Sequence, residues 1–207
     1  MNRTRKWTSD VKRGDRLIQV CRSEADKLSA VQDVAACVRE KEKVLLFTDS
    51  EKMRSSLIKR SSVGAQGTGD PIQTVRAGRT LCPKEKFDPA FALDVLKARL
   101  DDAADDGYRS IVAMFDMSWL AKRPEDFNAY MRVEMSINLL RSPTPVTVLC
   151  QYEGSLFSSE QLDMVSSLHA LNLTDGMVQR SFWLIPRHMD LAGTALQKDE
   201  AAGREQF

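Results

Sequence analysis

The residue whose placement most invites chemistry is a carboxylate set among apolar neighbours. At helical spacing, Phe127, Tyr130, Met131, Glu134, Ile137 and Asn138 share one stripe. Burying Glu134 there is costly unless something pairs with it, so the acid either sits at a solvated edge or faces a partner or ligand. A second acid, Asp116, ends the apolar run Ser110-Ile-Val-Ala-Met-Phe115 and opens Asp116-Met-Ser-Trp119. A third group, Gln151-Tyr152-Glu153, follows the run Pro145-Val-Thr-Val-Leu-Cys150. Trp119 and Tyr152 offer flat apolar surface with a donor, and Asp116, Gln151 and Glu153 offer acceptors, the make-up of a small-molecule site. His169, at helical spacing from Leu162 and Val165, reads as a core or capping histidine or as a functional one. Asp49 and Ser158 read as helix caps.

Other chemistries are excluded by what stands in their place. An apolar strand ending in Asp116 suits a magnesium-binding carboxylate, but nucleotide hydrolysis also needs a phosphate cradle, GxxxxGK[ST], after the first strand. The sequence there is Cys21-Arg-Ser-Glu-Ala-Asp-Lys27, without glycine, and Gly64, Gly67 and Gly69 precede no Lys-Ser or Lys-Thr. No Ser-His-Asp spacing, nucleophile elbow or HExxH is present. Cys21, Cys37, Cys82 and Cys150 form no CxxC pair, and neither His169 nor His188 lies near a cysteine in sequence. The sequence therefore implies no catalytic residue, no metal and no cofactor.

These residues need elements to position them. Arg16–Cys21, Lys43–Thr48, Ile72–Ala77, Ser110–Phe115, Pro145–Cys150 and Ser181–Ile185 read as strands. Helices are expected from Ser23 through Val38, with Leu28, Val31, Ala35 and Val38 at helical spacing. Others open near Asp49-Ser50 and at Asp88-Pro89, and two more run over Glu125–Leu140 and Ser158–Ala170. Gly64–Pro71 reads as a loop. Alternation of this kind predicts an α/β fold, a mostly parallel central sheet flanked by helices. Ligands of such sheets bind beyond the carboxyl ends of the strands, where Asp116, Trp119 and Glu153 fall.

Bulk properties set the outer limits. The 207 residues suit one domain, with 43% hydrophobic and 29% charged residues. Thirty basic and twenty-nine acidic residues leave a net charge of +1, which favours neither nucleic acid nor an acidic surface as partner. No apolar run reaches the ~18 residues of a membrane span, and no signal peptide is visible, so a cytoplasmic protein is expected. Residues 1–13 read as a basic arm, 14–188 as the domain, and 189–207 as a polar tail.

Several segments resemble one known family. Gly14-Asp15 with the strand to Cys21, Arg39–Phe47, Phe87-Asp88-Pro89, Gly107-Tyr108, Asp116–Trp119, Tyr130-Met-Arg-Val-Glu134, Val146–Glu153 with Phe157, and His169 are similar in order and spacing to MEDS domains, the methanogen/methylotroph sensory family. The likeness covers roughly residues 14–186. It implies a degenerate relative of RecA/KaiC-type P-loop domains without a functional Walker A loop. By the same resemblance Asp116, Trp119, Glu134, Cys150, Tyr152 and His169 are the characteristic polar and aromatic positions. Arg16 stands where relatives often carry His, Asp116 where they commonly carry Glu, and no aromatic precedes the Phe-Asp segment around Leu81-Cys82.

The resemblance implies a non-enzymatic module that senses a small organic, hydrocarbon-derived signal. A ligand between Trp119 and Tyr152, oriented by Glu134, Asp116 or Glu153, would pass its signal to a transcriptional or signalling protein partner or through a homo-oligomer. The competing readings are a residual nucleotide-binding domain, a protein-interaction scaffold, and nucleic-acid binding through Arg3, Arg5, Lys6, Lys12, Arg13 and Arg16.

Overall fold

A computed structural model describes residues 7–38, 41–61, 70–84, 86–137 and 144–181. Strand β1 (Arg16–Cys21) leads through two residues into α1 (Glu24–Cys37), where the Ser23 side chain accepts from the Asp26 amide. Next come β2 (Glu42–Phe47), α2 (Glu51–Ser61), β3 (Ile72–Val75) and the short α3 (Ala77–Leu81). Helix α4 (Pro89–Asp105) begins with Pro at its first position and the Asp88 carboxylate on the amides of Ala90 and Phe91, and Gly107 (φ 85°) follows its end. Strand β4 (Ser110–Asp116), α5 (Ser118–Ala121), α6 (Phe127–Ile137) and β5 (Val146–Glu153) complete the centre. Helix α7 (Ser159–Ser167) starts with a capping box between Ser158 and Gln161. Strands β6 (Leu171–Thr174) and β7 (Met177–Arg180) close the described chain.

The seven strands form one sheet in the order β3-β2-β4-β5-β1-β6-β7, parallel except for the antiparallel β6–β7 pair. The predicted α/β class with a mostly parallel sheet is the observed one. β4 lies between β2 and β5 and is buried along nearly its whole length, which explains its unbroken apolar run. Pleating sends alternate residues to opposite faces. Leu45, Phe47, Ala113, Phe115, Val148 and Cys150 pack on one side with α4 and α6, while Leu17, Val44, Leu46, Met114 and Leu149 pack on the other with α1 and α2.

Several boundaries differ from the sequence expectation. The β6–β7 hairpin was not expected, and of the last strand expected at 181–185, residues 182–185 lie outside the described residues. Its two-residue turn is Asp175 (φ 49°) and Gly176 (φ 74°), the left-handed pair that favours Asp-Gly. β5 continues to Glu153 rather than ending at Cys150, so Gln151 and Tyr152 are strand residues. α7 stops at Ser167, which puts His169 beyond it, and α3 was not expected at all. On α1 the buried stripe is Lys27, Ala30, Val31 and Val34, one position off the expected one. Of the predicted arm, Trp7 is 4% exposed and packs in the α1-side core. The Gly64–Gly69 stretch, residues 138–140 and the 189–207 tail lie outside the described residues. Among the described residues no helix is long and apolar enough to cross a membrane.

Candidate functional site

The pleat divides the candidate residues between two polar clusters on opposite faces of the sheet. On the α1 face, Asp116 and Glu153 meet Lys27. The Lys27 ammonium lies 3.2 Å from Asp116 Oδ1, 2.9 Å from Glu153 Oε2, and donates to Ser118 Oγ at 2.7 Å. Thr48 Oγ1 donates to the second Asp116 oxygen at 2.8 Å. Gln151 donates to Gln19 Oε1 and to the Lys27 carbonyl. Burial opposes the charge on Lys27, but Asp116 and Glu153 outweigh it and raise the lysine above its ordinary pKa. The same crowding, chiefly burial, pushes the neighbouring Cys21 thiol up to about 12.

Glu134 occupies the other face and is fully buried. Its Oε2 accepts from the Arg16 guanidinium at 2.6 Å, its Oε1 from the Tyr152 hydroxyl at 2.9 Å, and its main-chain carbonyl from Arg16 Nη1 at 3.1 Å. Ile18↔Cys150 and Val20↔Tyr152 are in register across β1 and β5, so Arg16, Cys150 and Tyr152 point to one face under α6. His169 Nδ1 sits 2.8 Å from the Val165 carbonyl, which can only accept, so that nitrogen carries the hydrogen. Its Nε2 lies 3.8 Å from Glu134 Oε2 and has no hydrogen-bond partner among the described residues. Burial lowers the His169 pKa against the pull of Glu134, leaving a neutral ring at neutral pH. For Glu134 burial works upward, but His169 when its ring is protonated, the Arg16 guanidinium, and the Tyr152 and Cys150 hydrogen bonds bring the carboxyl below its usual value. Burial, then Glu134, drives the Cys150 thiol and the Tyr130 and Tyr152 phenols well up, so all three keep their protons.

Trp119 belongs to neither cluster. It packs edge-on to Tyr130 (5.5 Å between ring centres) and tilted against Phe87, one helical turn from Glu134 by way of Tyr130. Trp119 Nε1 and Tyr130 Oη are buried without a partner among the described residues.

The geometry thus brings Glu134, Cys150, Tyr152 and His169 together and sets Asp116 and Glu153 apart from them. Asp116 and Glu153 do not converge with Tyr152 because they occupy the opposite pleat positions of their strands. Arg16 and Lys27 were not read as site residues. Arg16 was grouped with the basic arm, yet it is an interior ion-pair partner rather than a free surface cation; Lys12 and Arg13 are exposed, and Arg3, Arg5 and Lys6 lie outside the described residues. Asp49 does not cap α2, where Ser50 Oγ accepts from Met53 N in the first turn; its carboxylate accepts instead from the Gly78 amide in the first turn of α3. His188 lies outside the described residues.

Among the described residues, two cavities lie at the amino ends of the strands. One of about 550 Å³ is lined by Trp7, Leu17, Val34, Cys37, Val112 and Leu149, and one of about 640 Å³ by Lys43, Asp70, Ile72 and Asp102, Asp105 and Asp106.

Comparison with known proteins gives two matches. The family model described as MEDS, the methanogen/methylotroph, DcmR sensory domain, matches residues 18–170. A solved structure described as a prototypical ATPase from the type III secretion system of pathogenic bacteria is similar in fold, with a TM-score of 0.50 and 15% identity. The match covers 79% of this chain and 52% of that one, so the chain spans about half the length of that ATPase. No curated protein matches the sequence.

Proposed function

The chain belongs to the MEDS family of sensory domains, and on that premise we propose that it is a non-enzymatic module sensing a small organic molecule. The buried constellation around Glu134 carries this reading. His169 Nε2 within it, and Tyr130 Oη and Trp119 Nε1 beside it, lack partners among the described residues, and buried polar atoms of this kind call for a water, an ion or a ligand. A small alcohol, thiol or amine has the size and hydrogen-bonding capacity to satisfy them between Trp119 and Tyr152. The signal passes to a transcriptional or signalling partner, or to a second copy of the chain, through differential affinity for two states of the domain.

The opposite cluster argues against nucleotide chemistry, the activity named for the structural relative. A phosphate cradle needs backbone amides wrapped around the anion, and only Arg22 and Ser23 join β1 to α1. Asp116, placed where a carboxylate would hold magnesium, instead holds the chain's own ammonium, Lys27. The domain is a relative of RecA/KaiC-type folds whose cation site is filled from within.

A thermal-shift panel of short alcohols, methylamines, thiols and halomethanes, set beside Mg-ATP and GTP, tests this. A ligand at 100 times its dissociation constant stabilises by about 2.7 kcal/mol, roughly 5–10 °C for a domain of this size. The expected result is a shift with a small organic that disappears in a folded Trp119→Ala variant. A shift with nucleotide alone, or an organic shift untouched by Trp119→Ala, overturns the reading. A second location has an observation in its favour, the 550 Å³ cavity beside Trp7, which is of ligand size and pairs an apolar wall with Lys12, Arg13 and Glu42. Cys37→Phe, placed at its half-exposed rim, abolishes the shift only if the ligand binds there.

A further inference from the structure

We propose that Glu134, Cys150 and His169 form a binding site for a borderline divalent cation of the zinc type, enclosed between the β1–β5 face and the ends of α6 and α7. Each offers one ligand atom, and those atoms all lie within 4.8 Å of one another. The edges of a tetrahedral zinc site are on the order of 3.5 Å, given bonds of about 2.0–2.3 Å. The His169 Nε2–Glu134 Oε2 separation, 3.8 Å, is close to that already.

The tautomer supplies the decisive argument. Because Val165 fixes the hydrogen on Nδ1, the Nε2 lone pair faces a carboxylate oxygen in a fully buried space. With the ring neutral, the two acceptors face each other at 3.8 Å with no hydrogen between them, and the Arg16 guanidinium offsets only the carboxylate side. A proton on Nε2 would be poorly served, since 3.8 Å exceeds hydrogen-bond length. A metal ion bonded to both atoms, with Cys150 Sγ as the third ligand, removes the conflict.

The surroundings match what metal ligands need. Histidine ligands donate their second nitrogen to a carbonyl, and ligand carboxylates are themselves hydrogen-bonded. Val165 serves His169 in this way, and Tyr152 and Arg16 serve Glu134. Arg16 does not block the ion, because a carboxylate has about four lone-pair sites, Arg16 and Tyr152 take two, and the one Cys150 donates to is freed when its thiol loses the proton. On binding, the Cys150 thiol gives its proton to solvent and the sulfur bonds the metal as thiolate. Two ligand anions then face the dication and Arg16, and the fourth position stays open to water or an anion. The donor set of one sulfur, one imidazole and one carboxylate suits zinc and cobalt and does not suit magnesium or calcium. Cys150 and His169 are remote in sequence and meet only through the fold, which is why spacing alone implied no metal.

The test is the metal content of the full chain expressed in zinc- or cobalt-supplemented medium. The expected result is stoichiometric metal and, in the cobalt form, a thiolate-to-cobalt charge-transfer band in the near ultraviolet. Cys150→Ser removes the band, whereas Cys21→Ser leaves it intact. Tyr152→Phe keeps all three ligands but loses the carboxylate's donor, and weakens zinc retention against a chelator about 10–100-fold. Metal-free protein from both media, or a band that survives Cys150→Ser, overturns the proposal. The site does not rest on the sensory reading: metal bound without any organic shift sinks that reading alone, and an organic shift in metal-free protein sinks this one.

Discussion

Lys27→Met keeps the length and most of the volume of the side chain and deletes only its charge. In the folded chain that charge is 3% exposed and lies against two carboxylates. Removing one partner of a buried ion pair costs about 3–5 kcal/mol, because the other charge is left uncompensated. Here the loss belongs at the lower end, about 3 kcal/mol. Glu153 is 21% exposed and can turn to water, and Asp116 keeps donors from Thr48 and Ser118. For a domain of this size that is a fall of roughly 6–12 °C in melting temperature. Asp116→Asn in the Lys27→Met background removes the stranded anion, so the double variant should be less unstable than the two losses summed, by about 1–3 kcal/mol of coupling. Urea unfolding of the four proteins at neutral pH measures the cycle. The sign with pH is also fixed. The lysine pKa is raised on folding, so its contribution is present below the unfolded value and is lost only as pH rises through the folded one. Strict additivity of the two substitutions, within about 0.5 kcal/mol, would refute the claim that Lys27 is the internal counter-ion of Asp116.

Glu134 and His169 both have folded pKa values below their ordinary ones. Their stabilisation is full above the unfolded values and is lost as pH falls through the folded ones, so stability should decline from about pH 6.5 downward. His169→Asn should flatten the upper part of that decline in melts taken between pH 5 and 8. Gly78→Ala would bring a Cβ to 2.6 Å from Asp49 Oδ2, the end of an exposed side chain that can swing aside, so it should cost less than about 1 kcal/mol in urea unfolding; Asp49→Ala in the same chain should remove that cost. In native protein a thiol alkylator should mark Cys37, the half-exposed cysteine, and spare Cys150, which is buried, as read by peptide mass spectrometry.

The strand-helix alternation was legible because parallel strands buried on both faces leave unbroken apolar runs, and the caps at Ser23, Asp88 and Ser158 were legible because each precedes its helix directly. The β6–β7 hairpin carried a readable signal, Asp175-Gly176, but its strands are four residues each and bury only Leu173 fully, so no apolar pattern marked them. Glu134 was recognisable from its stripe. Its partner Arg16 was not, since it sits 118 positions away and adjoins a run of surface basic residues. Lys27 could have been found, because it shares a helical face with Ala30, Val31 and Val34. Which acids would meet was beyond the sequence, because that depends on whether β5 ends at Cys150 or runs on to Glu153.

That extension of β5 has an evolutionary consequence. Within four consecutive residues the strand alternates allegiance: Cys150 and Tyr152 serve Glu134, while Gln151 and Glu153 serve Lys27 and its helix. Deleting or inserting one residue upstream within the strand would hand each set to the wrong side of the sheet. Length variation among descendants of this chain is therefore confined to the segments flanking 146–153, and the two clusters, though they never touch, are inherited as a single unit.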